Sequence, residues 1–485
     1  MAVTATESTS FFIQTEVAPS YLGDLLRFVY QEYIVPYYQN FANVRRWIDG
    51  GREVLAFTLV DPHGLWQIDV ELVMSVPLEV KMTPVGSVPH AVLSRLKDDL
   101  IIAVQVFEEK IRRTTLYFAW VPERSAVPER TLRKSSPALG RILFGNMLMF
   151  FVLFLALSYA VFIVATEVFR VPVEYFPIVM IITQFIMVLF SDKIVKSMGD
   201  WPITASSPYA HILQYHVPPE QFEQLQRTYT RDDLLEIKKE IYGRTLAFGA
   251  LVDVQSAQEV FSRHGLGIRP ENLLIRTVNV YEIVKEAAAR FRMPVPKIMI
   301  SNVIMPNAAA TGPSPRFGLV LLTTGLLAQL DEKEVLAVVG HELSHVKRRD
   351  PIALFALVSV EYLLRVYYFL NFFYYFGMLY FLFSLGVVYF IAKFFEARAD
   401  LEAAVELGRP ELLAGALRKI GYRRLQLERL QQNRIGSWVG WNPHPPISFR
   451  VERLESLKEP YSIRHPFIES VKDCVAGLLS ELRRL

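Results

Sequence analysis

The sequence predicts a mixed fold: α+β soluble parts joined to four membrane-crossing helices arranged as two hairpins. Three observations predict it. Hydrophobic residues make up 52% of the 485 residues, and the excess is concentrated around residues 142–191 and 351–392. Strand-forming runs bounded by turn signals fill much of residues 1–138. From Val278 onward, helical periodicity with capping signals dominates.

The four spans are taken in order. Ile142–Thr166 runs 25 residues without a charge, and Tyr175–Ser191 runs 17, with Glu167–Glu174 between them. The hydrocarbon core to be crossed is roughly 30 Å thick. A second hairpin is expected over Pro351–Ala392, turning near Asn371–Gly377. Its first leg carries Glu361 and Arg365, i,i+4 neighbours that read as a self-neutralising pair. Arg130, Arg133, Lys134, Arg141, Lys193, Lys196, Lys347, Arg348, Arg349, Lys393 and Arg398 flank the spans on one side, against Arg170 on the other. That asymmetry predicts a multi-pass protein of a lipid bilayer with its soluble parts and both termini in the cytoplasm.

Among the soluble parts, residues 1–138 read as an α+β domain. Val54–Val60 and Leu65–Val73 flank the turn Asp61–Gly64, a hairpin signal; Pro89–Arg113 reads as an amphipathic helix and Thr114–Val121 as a strand. The hairpin is assigned to 139–192, and residues 193–275 read as mixed helix and loop. Residues 276–350 and 393–485 then form two halves of one further domain, split by the hairpin at 351–392. Val278–Phe291 is expected as a helix, with Lys297–Ser301 and Phe317–Thr323 as strands.

Several function classes drop out on composition. A net charge of +3, without a basic stripe interleaved with aromatics, argues against nucleic acid as a partner. The single cysteine, Cys474, excludes an internal disulfide framework and a cysteine-rich metal site. Met1–Gln14 is polar and lacks a basic start, so no cleaved signal peptide is expected. His63 and His90 stand alone, and His211 and His216 are spaced wrongly for one helical face.

The chemistry concentrates in His341-Glu342-Leu343-Ser344-His345. Asp331 with Glu334 predicts a capping box, and Val335, Leu336, Val339, Leu343 and Val346 form an apolar helical stripe. His341 and His345 then lie one turn apart, about 6 Å between Cβ atoms, close enough to share a zinc ion. Glu342 is placed to act as general base beside the metal, the H-E-x-x-H arrangement of metallopeptidases. A catalytic zinc needs a third protein ligand. The chain returns from the second hairpin into Phe394–Asp400, and hairpin depth selects Glu396 as that ligand. Asp400, one turn further on, fits a carboxylate that orients a ligand imidazole. One Zn2+ per chain is the expected cofactor and a polypeptide the expected substrate. The substrate would be bound as an added strand along Asn307–Gly312 or Phe317–Thr323.

Taken in chain order, Asn307-Ala308-Ala309-Ala310-Thr311-Gly312, the HELSH run with Asp350 behind it, Glu396-Ala397-Arg398-Ala399-Asp400 and His444-Pro445-Pro446 resemble the HtpX and CAAX-prenyl-protease family of membrane zinc metallopeptidases. The resemblance covers roughly residues 275–460 and is nearer the HtpX branch. It implies a mainly α-helical gluzincin-type domain with ligands His341, His345 and Glu396 and base Glu342. It also implies a prokaryotic cell-membrane location. His444 becomes a stabiliser of the transition-state oxyanion, and Arg450 a basic residue holding its segment to the core. Asn307, Ala308 and Ala309 become substrate-binding. Ala309 departs from the family's aromatic at that position, and residues 1–138 and 193–275 are extra relative to a compact HtpX-like enzyme. A narrower CAAX-type processing enzyme and a non-catalytic scaffold or chaperone are the competing readings; retention of Glu342 and both motif histidines argues against the scaffold.

Overall fold

The computed structural model describes residues 2–3, 8–122, 160–428, 434–440, 442–457 and 463–483. Near the N-terminus, strands β1 (Thr9–Ile13), β2 (Phe41–Asp49), β3 (Arg52–Val60), β4 (Trp66–Val73) and β5 (Leu78–Gly86) form one antiparallel sheet in the order β1-β5-β4-β3-β2. The β3–β4 hairpin is the one the Asp61–Gly64 turn predicts, and Asp61 caps it by accepting from the His63 and Leu65 amides. Helix α1 (His90–Arg112) buries Leu96, Leu100, Val104 and Phe107 against this sheet.

Strand β6 (Thr115–Trp120) leaves that sheet and pairs with β8 (Tyr209–His216), which pairs in turn with β9 (Leu273–Asn279). Residues 193–275 hold helices at Pro219–Thr228, Arg231–Arg244 and Val254–Arg263, as expected, together with strands that the helix-and-loop reading missed. The sequence hid β8 because seven of its eight residues are buried, so it shows no alternation of polar and apolar positions. A further sheet runs in the order β11-β12-β10-β7, made of β7 (Trp201–Ile203), β10 (Lys297–Ser301), β11 (Ala308–Thr311) and β12 (Leu319–Thr323). Strand β12 has neighbours on both sides, which leaves β11 at one edge and β7 at the other.

Among the further helices are α2 (Phe176–Leu189), α3 (Val280–Arg290), α4 (Glu332–Arg348), α5 (Asp350–Tyr367), α6 (Leu370–Leu407), α7 (Pro410–Ile420), α8 (Ile447–Glu455) and α9 (Pro466–Leu482). The main core joins β8, β10 and β12 to α3, α4, the C-terminal half of α6, α7 and α8.

The expected membrane crossings are not found among the described residues. Among the described residues, no helix is long and apolar enough to cross a membrane. The first expected span, Ile142–Thr166, falls outside the described residues as far as 159. The second becomes α2, whose 14 residues reach only about 21 Å. The third, α5, carries Asp350, Glu361 and Arg365. In α6 the backbone departs from helical geometry at Phe376, so only residues 377–392 lie between that break and Lys393, about 24 Å. Uncharged sequence was therefore longer than uncharged helix. With no span to orient among the described residues, the basic flanks there assign no cytoplasmic side, and the expected integral-membrane localisation is not supported.

One ion cluster ties the N-terminal helix to the core. Arg418 of α7 is fully buried, bonds Asp98 of α1, and donates two hydrogen bonds of 2.7 Å to Glu455 of α8. Burial raises the Glu455 carboxyl, but Arg418 and Lys97 outweigh it and hold the group down at about 2. A depressed carboxylate contributes stability above its unfolded value of about 4.3, lost as pH falls toward 2. That contribution is on the order of 2–3 kcal/mol. Glu455→Gln is therefore expected to melt earlier than wild type at pH 7, with the gap narrowing below about pH 4 and closing only toward about pH 2. Melting curves across that range check it, and a constant gap would refute the assignment.

Candidate metal centre

Helix α4 begins with the capping box read from the sequence. Asp331 accepts from the Glu334 amide at 2.8 Å, and Glu334 accepts from the Asp331 amide at 3.0 Å. Its apolar stripe is buried, which turns His341 and His345 toward α6. Gly340 permits close approach there: a Cβ on it would sit 2.8 Å from Leu407 near the end of α6.

His341 Nε2 and His345 Nε2 stand 3.3 Å apart. A Glu396 oxygen lies 3.4 Å from His341 Nε2 and another 3.5 Å from His345 Nε2. Four ligands held tetrahedrally at about 2.0–2.1 Å from zinc lie about 3.3–3.4 Å from one another. The three donor groups thus have the separations that a shared zinc requires, and they are the one His/Cys/Asp/Glu cluster among the described residues with converging ligand atoms.

The other ring nitrogens are fixed by carboxylates. His341 Nδ1 is 2.9 Å from Asp400 Oδ1, and His345 Nδ1 is 2.7 Å from Asp350 Oδ2. A proton at each Nδ1 would leave both Nε2 lone pairs aimed at one point. Converging lone pairs and a carboxylate demand a cation. Burial alone would lower the His341 pKa, yet Asp400 and Glu396 win and push it up to about 10. Glu396 is raised by burial but held well below the usual carboxylate range by His444, His345 and His341. The donor set fits a zinc ion on separation and charge.

Two arginines hold the holders. Arg450 donates to both Asp400 oxygens at 2.7 Å, and Arg398 donates to Asp350. Asp350 was placed by sequence in the motif order but given no role. It reaches His345 because α4 ends at Arg349 in the left-handed region (φ 58°), which turns the chain back at once into α5. Its signal is an acid five residues beyond the second histidine, a spacing off the helical face. Glu402, also overlooked, accepts from Ser344 and Arg348 at 2.7 Å each and locks α6 against α4.

Glu342 Oε2 accepts from the Ala310 amide of β11 at 2.9 Å, which ties the strand that follows Asn307 to the motif helix. Asn307 anchors that strand through Thr323, whose Oγ1 accepts from the Asn307 amide at 2.9 Å. His444 also reaches the site, with Nδ1 2.6 Å from Glu396 Oε2 and the side chain 43% exposed. Glu428 sets its approach by accepting from the Ile447 and Ser448 amides, while Arg424 donates to the His444 carbonyl. His341, Glu342, His345, Glu396, Asp400, Arg450 and His444 are thus gathered here, and Asn307, Ala308 and Ala309 lie on or next to the strand whose Ala310 amide reaches Glu342. Glu361 and Arg365 lie apart, 3.5 Å from one another on α5.

The sequence profile of Peptidase family M48 matches residues 275–458, which contain all of these groups. A protease HtpX homolog of Thermodesulfovibrio yellowstonii is 30% identical over 214 residues, covering 38% of this chain and 76% of that protein. The chain belongs to peptidase family M48. This HtpX-like M48 protein is also 30% identical over 256 residues to a protease HtpX homolog of Kineococcus radiotolerans, covering 44% of this chain and 86% of that protein. A homolog from Methanothermobacter thermautotrophicus is 35% identical over 166 residues, 32% of this chain and 62% of its own. As an M48 peptidase the chain is a metalloprotease acting on polypeptides, in a family that is zinc-dependent. Residues before 275 lie outside the matched profile.

Proposed function

We propose that this M48 peptidase is a zinc endopeptidase that cuts extended, unfolded polypeptide segments, with His341, His345 and Glu396 as the zinc ligands. The supporting observation is the convergence of those three groups at zinc-like separations beside Glu342. Zinc bound there supplies Lewis acidity and brings the pKa of water toward about 7. Glu342 takes the proton of the attacking water and returns it to the leaving amine. Its bond to the Ala310 amide fixes the carboxylate at the edge of β11, where a substrate strand would pair with Asn307–Ala309. His444 meets Glu396 through Nδ1 and, when it carries a proton on both nitrogens, donates Nε2–H to the charge developing on the scissile carbonyl oxygen. Asp400 with Arg450, and Asp350 with Arg398, keep the two imidazoles from turning away.

Zinc analysis of the purified chain, with cleavage of an unfolded model protein, tests this reading. Wild type should hold one zinc per chain. His345→Ala should bind it at least roughly 100-fold more weakly, since even outer partners of a ligand cost 10–100-fold. Chelation should abolish cleavage and zinc restore it. A wild-type chain that neither retains zinc nor recovers cleavage on its addition would sink the proposal.

A further inference from the structure

Strand β11 presents two different faces. Ala308 and Ala310 pack against the main core, whereas Ala309 and Thr311 line a separate cavity of about 560 Å³. Met187 of α2 and Leu354, Phe355 and Val358 of α5 form its other walls, and no charged side chain lines it among the described residues. Two covalent neighbours join it to the metal centre. Ala309 precedes Ala310, whose amide donates to Glu342. Pro351, also on the wall, follows Asp350, which holds His345. Thr311 Oγ1 donates to Ser191 Oγ at 2.9 Å and pins the strand to the chain just beyond α2.

We propose that this cavity receives one bulky apolar or aromatic substrate side chain beside the scissile bond, and that the small Ala309 side chain sets its size. The proposal rests on the peptidase reading above. A substrate strand laid along β11 places alternate side chains on the face that Ala309 and Thr311 share. One of them therefore points into the cavity, a single residue away from the strand's contact with Glu342. The apolar walls reward a large hydrocarbon side chain by burial and penalise a charged one, which would lose its hydration without a partner. An aromatic at position 309 would occupy the same space itself.

The test is cleavage of a peptide set in which the residues flanking the cut vary among Phe, Leu, Ala and Asp. Wild type should prefer Phe or Leu over Ala at one flanking position by about tenfold or more in kcat/KM. Ala309→Phe should collapse that ratio toward one, and so should Val358→Trp, which fills the cavity from the opposite wall. Zinc content and melting midpoint report whether each variant has folded, and Val358→Trp decides if the strand variant has not. Wild-type cleavage without an apolar preference, or a ratio unchanged in a folded variant, overturns the pocket alone. Failure of wild type to cut any peptide takes the peptidase reading down with it.

Discussion

Replacing Glu342 with glutamine should leave zinc bound and the fold intact while slowing peptide cleavage by about 10²–10⁴-fold, the usual worth of a positioned general base. The amide oxygen of glutamine can still accept from the Ala310 amide, so the contact between α4 and β11 survives. What disappears is the carboxylate that accepts a proton. Glu342 touches none of His341, His345 or Glu396 in their contacts with one another, so metal content should not change. Single-turnover cleavage beside metal analysis separates the outcomes. Activity within about threefold of wild type would reduce Glu342 to a strut between helix and strand. Loss of zinc together with activity would show that the carboxylate helps hold the metal.

The second large effect is expected at Arg450, 50 residues from its partner in the chain. Arg450 is 6% and Asp400 1% exposed, and two parallel 2.7 Å bonds join them. Burial pushes the Asp400 carboxyl up, but Arg450 and His341 hold it far down. Arg450→Ala leaves a buried carboxylate facing only an imidazole, which costs about 3–5 kcal/mol. The freed Asp400 no longer fixes the His341 ring, so zinc affinity should fall by about 10–100-fold. Arg450→Lys should rescue this only in part, because an ammonium cannot match the two-pronged geometry. The pH dependence has a defined sign. A depressed carboxylate stabilises above its unfolded pKa of about 3.9, and that contribution fades as pH falls below it. The stability gap between wild type and Arg450→Ala should therefore narrow from pH 5 to pH 3. A gap that is small at pH 7, or independent of pH, would contradict the assignment.

The site was legible in proportion to how local its geometry is. His341, Glu342 and His345 share one helix, and the Asp331–Glu334 cap that starts it is a four-residue signal. The separation of the two imidazoles follows from 3.6 residues per turn and needs no tertiary information. Glu396 was reached by hairpin depth, Asp400 by its helical spacing from Glu396, and Arg450 and His444 by resemblance, and the structure brings all four to the same place. The role of Asp350 was not legible, because it depends on Arg349 reversing the chain in the left-handed region. Nor was the bond of His444 to Glu396, which depends on Glu428 and Arg424 fixing the start of α8 from another helix.

The membrane reading failed for a related reason. Hydropathy counts charges along the chain, but a crossing requires unbroken helix, and whether the backbone stays helical at Phe376 is not a property of charge count. The strand at Tyr209–His216 was hidden because burial on both faces erases the alternation that marks a strand. By itself, then, the sequence determined the catalytic helix, its caps and the identity of the groups that can bind metal, since these follow from residue type and helical period. The tertiary structure alone decided which carboxylate faces which imidazole and which strands are left at the edges. It also decided that Ala309 opens onto a cavity, because each of these is a contact between segments that the chain brings together only on folding.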